Sequence, residues 1–304
     1  DLWSSKNKVI LERELWLAIL QAQKELGQDI PDGVLEDYRK VIEQVDLVSI
    51  TEREKIVKHD VKARIEEFCA LAGHEHIHKG MTSRDLTENI EQLQIKKALE
   101  IIRKQTIAVL ARLSENATTY AELPITGRTH NVAAQVTTLG KRFATAAEEM
   151  LHAFKNAENV YAYYPLRGIK GPIGTQQVLI DLLGSEEKVE ELEAKLREYL
   201  GFKQSLDSVG QVYPRSLDFN IVSALVQLSS APANVAKTLR LMAGHDLVTE
   251  GFQEGQVGSS AMPHKMNMRS CERITGLSHV LQGYLSMVTS LVGDQWNEGD
   301  VSCS

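Results

Sequence analysis

The chain has 304 residues, 43% of them apolar and 25% charged, an ordinary globular composition with length for about two domains. Its 34 Lys and Arg against 41 Asp and Glu leave a net charge of −7, which argues against general nucleic-acid binding because a phosphate backbone wants a basic face. With no run of about 18 apolar residues, no charged-then-apolar leader, and Cys69, Cys271 and Cys303 far apart with no CxxC pair, the expectation is a cytoplasmic protein with reduced thiols, without a membrane span, disulfide framework or zinc site.

In chain order, residues 7–26 read as a helix with Val9, Ile10, Leu17 and Leu20 among its apolar positions and Gly27 closing it. Residues 33–45 and 52–72 read as shorter helices, the second stopped by Gly73. The polar turn KGMTSRD follows. A helix then runs from Leu86 to Tyr120 on a broad stripe that includes Ile90, Leu93, Ile101, Ile102, Val109, Leu110 and Leu113, and Pro124 ends the region. A second long helix is predicted from Ala133 to Tyr164, a third over 186–200 before Gly201, a fourth over Ser216–Thr249 with a kink at Pro232, and a fifth from Ser270 to Asp294. Almost no alternating strand pattern is visible. Helices of ~30 residues are ~45 Å long and should pack side by side. The expected fold is therefore all-α, with an N-terminal helical domain over 1–85 and a long-helix bundle domain over 86–304.

Three polar segments interrupt the helices. Gly80–Asp85 reads most simply as a helix start capped by Thr82 or Ser83, though free N–H groups and hydroxyls there also suit a carboxylate. Gly127–Asn131 contains His130, which by itself is an ordinary polar residue or an acid/base group that titrates near neutrality. Glu254–Asn267, with Gly255 and Gly258 as candidate hinges, Ser259 and Ser260, and then Lys265 and Asn267, is long for a connector between bundle helices, and such loops are usually functional. Lys265 and Asn267 together offer a cation and an amide to a carboxylate. His74, His76 and His78 alternate, but that spacing shares a face only on a strand, so no metal site is expected.

Taken together, GSSAMPHKMN at 258–267, the Thr82–Ser83 segment and the Thr129–His130 segment resemble the fumarase/aspartase superfamily of lyases. The loop matches its GSSxMPxKxN signature, and the likeness covers essentially the whole chain. The Ala-Met-Pro-His-Lys form of the loop, the run Ser270–Arg273, Lys58–Val61 and Gln135–Arg142 resemble the adenylosuccinate lyase family within it.

The resemblance implies a cofactor-free β-elimination that releases fumarate from adenylosuccinate, giving AMP, and from the succinyl-carboxamide ribotide of purine biosynthesis. It implies Ser259 as general base, activated by nearby positive charge and loop N–H groups, and His130 as general acid with Glu272 as its partner. Lys265 and Asn267 would hold the carboxylate and polarise the loop. Thr82, Ser83, Thr129, Lys58, His59, Asp60, Gln211, Arg273 and Ser304 fall on substrate-binding positions. It also implies a homotetramer whose active sites are shared between subunits, and a third, C-terminal helical domain that this chain lacks. Met268 stands where the family often has Pro. Gly299 stands where relatives place a phosphate-binding arginine, and an Arg-Tyr pair before the first helix and an arginine just past Ser304 are absent, so phosphate binding by this chain is expected to be incomplete. The alternatives are a sister lyase (argininosuccinate lyase, fumarase, aspartase or carboxymuconate cycloisomerase) and a noncatalytic structural protein, against which the presence of His130, Ser259, Lys265 and Glu272 together argues.

Overall fold

Ser4 opens the first helix: its hydroxyl accepts the Asn7 N–H at 3.2 Å, and α1 runs over Ser5–Glu25. The computed structural model describes residues 1–302, and the helices that follow are α2 (Val34–Lys40), α3 (Leu47–Val57), α4 (Asp60–Ala72), α5 (Ser83–Thr119), α6 (Leu139–Ala162), α7 (Gln177–Leu183), α8 (Glu186–Leu200), α9 (Ser216–Ala243) and α10 (Arg269–Thr289). Two hairpins complete it, β1 (Pro124–Thr129) with β2 (Val132–Thr138), and β3 (Gln295–Trp296) with β4 (Asp300–Val301). The fold is mainly helical. Among the described residues, no helix is long and apolar enough to cross a membrane.

The structure differs from the sequence reading in several places, among them the ends of α9 and α10, which stop at Ala243 and Thr289, short of the predicted Thr249 and Asp294. The helix predicted over 52–72 is two, because Lys58 is left-handed (φ 55°) at the end of α3 and the extended His59 starts a new helix. The helix predicted over 33–45 stops at Lys40, and α7 was not anticipated. The helix predicted from Ala133 starts only at Leu139. Its first residues form β2, rich in β-branched Val132, Val136, Thr137 and Thr138, paired antiparallel with β1 from Pro124↔Thr138 to Thr129↔Val132. His130 and Asn131 make the two-residue turn, both left-handed (φ 49° and 62°), the twist a tight hairpin needs. Most of β2 is exposed, so no apolar/polar alternation marked it in the sequence.

The chain packs as two compact units, each drawn from separate stretches: Asp1–Glu100, Ala162–Arg215 and the described part of Gly293–Ser304 in one, Ile101–Tyr161 and Ser216–Val292 in the other. In the first unit α1 is buried along most of its length. Trp16 stacks on Phe68 at 6.3 Å between centroids, and Tyr38 meets the same ring at 4.8 Å. Arg13 is buried and its two terminal nitrogens are occupied: Nη1 donates to the Val41 and Ile42 carbonyls at 2.9 Å each, Nη2 pairs with Glu67, and the guanidinium lies 4.5 Å over the Phe68 ring. The start of α5 is anchored by the buried Asp85, which accepts from Thr82 N (2.7 Å), Arg167 Nη1 (2.5 Å), Lys170 N (2.9 Å) and Gly171 N (3.1 Å). One turn on, the buried Glu88 pairs with Arg84 and Arg215, each at 3.2 Å.

In the second unit Leu113, Ala146, Met150 and Ala231 form one core, and Ala236, Met268 and Cys271 a second. Pro232 sits inside α9, as its position in the sequence required.

Candidate active site

The ten-residue stretch from Gly258 to Asn267 folds back on itself. Gly258 N donates to the Pro263 carbonyl at 3.1 Å, Lys265 N to Met262 O at 3.1 Å, and Asn267 Nδ2 to Gly258 O at 2.9 Å. A Cβ on residue 258 would lie 1.6 Å from the Lys265 carbonyl oxygen, so only glycine allows this closure. Gly258 is thus a point of close approach, whereas Gly255 has the open surroundings and positive φ (76°) of a hinge. Within the loop Ser259 is half-buried, and its Oγ accepts the Ala261 N–H at 3.3 Å. A donor aimed at that oxygen favours its deprotonated form.

The loop leads into α10, whose cap residue Met268 has no side chain able to accept the first N–H groups. Glu250, twenty residues upstream, does so instead, at 3.3 Å from Ser270 N and 3.2 Å from Cys271 N. Partial burial opposes its charge, but the N–H groups of Cys271 and Ser270 hold its carboxyl below the usual range. Burial and the neighbouring Glu250 push the Cys271 thiol up. A cavity of about 740 Å³ opens beside the loop and is lined by Arg240, His264, Lys265, Asn267 and Glu272. Glu272 stands 3.4 Å from Arg240, an exposed pair. Arg273, next on α10, is exposed.

His130 is exposed at the tip of the β1–β2 hairpin. Arg128 Nη1 braces that turn through the Asn131 carbonyl at 3.1 Å, and Arg142 Nη2 reaches the Thr126 carbonyl at 3.0 Å. Thr129, Arg128 and Gln135 of the hairpin, with Lys141, Arg142 and His245, line a larger cavity of about 1310 Å³ between hairpin, α6 and α9.

The first unit holds the remaining candidates. Lys58, His59 and Asp60 form the exposed junction of α3 and α4. His59 Nδ1 accepts the Lys62 N–H at 3.3 Å, capping α4, and its Nε2 lies 3.4 Å from Ser83 Oγ. Thr82 and Ser83 therefore sit beside His59, at an α5 start that Asp85 fixes from below. Gln211 donates its backbone N–H to Glu298 O at 2.7 Å. Its side chain packs against Gly299, where an added Cβ would come within 3.1 Å of it, so the local packing suits glycine. Ser304 lies outside the described residues.

The sequence reading did not single out Glu250, Arg240 or Arg64, whose partners are 20 to 32 residues away or on another helix, so no local motif marks them. Of the alternating histidines, His74 Nε2 meets Asp37 at 3.0 Å and His78 Nδ1 accepts from Trp16 Nε1 at 3.0 Å. No metal-holding group of three or more His, Cys, Asp or Glu occurs among the described residues.

Residues 4–283 match the family model described as Lyase. The chain is 36% identical to the adenylosuccinate lyase of Saccharomyces cerevisiae over 97% of its own length and 63% of that protein. It is 34% identical to that of Schistosoma mansoni over 97% and 62%, and 31% identical to that of Thermotoga maritima over 100% and 68%. The chain thus spans a little under two thirds of the first two relatives. Among solved structures it resembles the 3-carboxy-cis,cis-muconate lactonizing enzyme of Pseudomonas putida (TM-score 0.84, 19% identity, 99% of this chain and 67% of that one). It also resembles a fumarate lyase from Mesorhizobium (TM-score 0.80, 19% identity, 98% and 66%). At that identity the likeness is one of fold.

Proposed function

The chain belongs to the lyase family, on its adenylosuccinate lyase branch, and from that premise we propose that it carries out β-elimination of fumarate from adenylosuccinate, giving AMP, and from the succinyl-carboxamide ribotide. The observation that carries the reading is the closed Gly258–Asn267 loop, with an N–H aimed at Ser259 Oγ and Lys265, His264 and Arg240 around the adjoining cavity.

Ser259 takes the proton from the carbon next to the substrate carboxylate. The charge that develops on that carboxylate is met by Lys265. Asn267, whose amide holds the Gly258 carbonyl, keeps the loop shut around the base. His130 gives a proton to the departing nitrogen, and Glu272 pairs with it in the assembled site. Thr82, Ser83 and His59 present hydroxyls and a ring N–H to a substrate anion. Lys58, Asp60, Thr129, Gln211 and Arg273 complete the substrate contacts, and no cofactor takes part.

The assembly we propose is a homotetramer with active sites shared between copies. It is supported by the face of α10 carrying Ile274, Leu277, Val280, Tyr284 and Met287, all at least 42% exposed at helical spacing. The purine-pathway substrate and the free thiols Cys69 and Cys271 support a cytoplasmic setting.

The test is turnover by the purified chain of adenylosuccinate beside argininosuccinate, fumarate, aspartate and carboxymuconate, with products followed by chromatography. Weak release of AMP and fumarate is expected, since Gly299 supplies no side chain to the substrate phosphate. Turnover of one of the other substrates, with adenylosuccinate untouched, would overturn the assignment.

A further inference from the structure

Behind the His59–Ser83 pair a row of charges runs into the core of the first unit. Glu12, on α1, has no exposed surface, and its Oε2 lies 2.7 Å from Arg64 Nε. Arg64 Nη2 reaches Asp60 Oδ2 at 2.9 Å, and Asp60 Oδ1 stands 3.5 Å from His59 Nδ1. Side-chain exposure rises along the row, from 0% at Glu12 and 12% at Arg64 to about half at Asp60 and His59.

A carboxylate in the core is costly unless well compensated, and burial pushes Glu12 up to about 7 although Arg64 on α4 and Lys8 and Arg13 on its own helix pull it down, with Asp60 opposing them. Its position is therefore poor as a stability device and calls for another role.

That role follows from the two groups that compete for His59 Nδ1. The Lys62 N–H donates to it at 3.3 Å, which requires that nitrogen to be bare and leaves the proton of the neutral ring on Nε2, facing Ser83. The Asp60 carboxylate would instead draw a proton onto Nδ1. At 3.5 Å it stands beyond hydrogen-bond length, held toward Arg64 by its other oxygen. Arg64 can hold Asp60 there because its Nε is paired with the buried Glu12 carboxylate at 2.7 Å, an ion pair without hydrogen-bond alignment.

We propose that Glu12 and Arg64 are positioning residues that hold the Asp60 carboxylate off His59, so that the ring keeps its proton on Nε2 and presents an N–H donor, beside the Ser83 hydroxyl, to an anionic oxygen of the substrate. The use of that donor rests on the lyase reading above; the placement of the proton does not.

The experiment is long-range proton–nitrogen NMR of the chain labelled with ring-15N histidine, His59 being assigned by its loss in His59→Gln. Wild type should show the Nε2–H tautomer. Glu12→Gln should shift His59 toward Nδ1–H, and Glu12→Gln with Asp60→Asn should restore Nε2–H, because the competing carboxylate is gone. Arg64→Lys, with one nitrogen in place of a fork, should mimic Glu12→Gln and serves if that variant does not fold. In the active protein, Glu12→Gln should lower kcat about tenfold with KM within about twofold, the scale on which outer residues act through a site group. A wild-type ring protonated on Nδ1, or a folded Glu12→Gln or Arg64→Lys protein whose His59 keeps the Nε2–H form, would overturn the proposal. Failure of the chain to release fumarate would bear on the lyase reading alone.

Discussion

Gly258 and Lys265 meet backbone to backbone: a Cβ on the first would lie 1.6 Å from the carbonyl oxygen of the second. This contact closes the loop that carries Ser259. Gly258→Ala should therefore force the loop open without disturbing the helices around it. Elimination should fall about 100-fold, the scale of a 1 Å misplacement, with the helical circular-dichroism signal unchanged. A variant with near wild-type turnover would show that the closed loop is not the working one.

Ser259→Ala and Ser260→Ala separate the two hydroxyls of the loop. Only Ser259 is half-buried with an N–H donated to its oxygen; Ser260 is exposed. Loss of a general base costs about 10²–10⁴-fold, so Ser259→Ala should lose that much in single-turnover kinetics while still binding substrate. Ser260→Ala should stay within a few-fold. The reverse pattern would move the base by one residue, and two active variants would end the serine-base mechanism.

His130 occupies a left-handed position (φ 49°), so an alanine there would strain the turn as well as remove the imidazole. His130→Asn is the cleaner variant, since Asn accepts that conformation. It should bind substrate normally and lose about 10²–10⁴-fold in kcat. Retention of more than about half the wild-type kcat would refute the role of general acid.

Glu250 caps α10 from a distance, with its folded-state pKa below the ordinary value because backbone N–H groups bind the charged form. A depressed carboxylate contributes stability above its unfolded pKa, and that contribution disappears as pH falls through the folded value. Glu250→Gln should lower stability at pH 7 by about 0.5–1 kcal/mol, at the low end for a cap because the group is exposed, and the deficit should vanish in acid. Denaturant titrations at both pH values measure it; an equal deficit at both would mean that charge is not involved.

His78 and Glu12, both in the first unit, pull the pH dependence of stability in opposite directions. Burial lowers His78 to about 4, so the folded state binds fewer protons than the unfolded and stability rises with pH between about 4 and 6.5. Burial raises Glu12 to about 7, so the folded state binds more protons and stability falls with pH between about 4.5 and 7. The two slopes overlap and oppose. Glu12→Gln should leave a melting temperature that climbs from pH 5 to 6.5, and His78→Gln one that declines. Parallel curves in both variants would contradict these assignments.

The long helices were legible because their signals are local. Gly27, Gly73 and Gly201 mark helix ends through the left-handed conformation they supply cheaply, and the stripe from Ile90 to Leu113 repeats at the helical period. The lyase resemblance was equally legible, since the Gly258–Asn267 loop must keep specific residues at fixed spacing to close on itself. The hairpin at 124–138 was not, because its faces are largely exposed and leave no period-two pattern, and its turn uses His130–Asn131 in place of a glycine pair.

What only the tertiary structure decided are the pairings between residues far apart in the chain. Asp85 looked like an ordinary first-turn acid, yet it is buried and gathers Thr82, Arg167, Lys170 and Gly171. Glu12 sits in a sequence register that reads as one more polar position of α1, yet it stands at the buried end of a row leading to His59. Helix periodicity, caps and a self-closing loop depend on neighbours within about ten residues, so the order of the residues suffices to specify them. The charge on a buried carboxylate, and what it positions, depends on which other helix is packed against it, and that is a property of the folded chain.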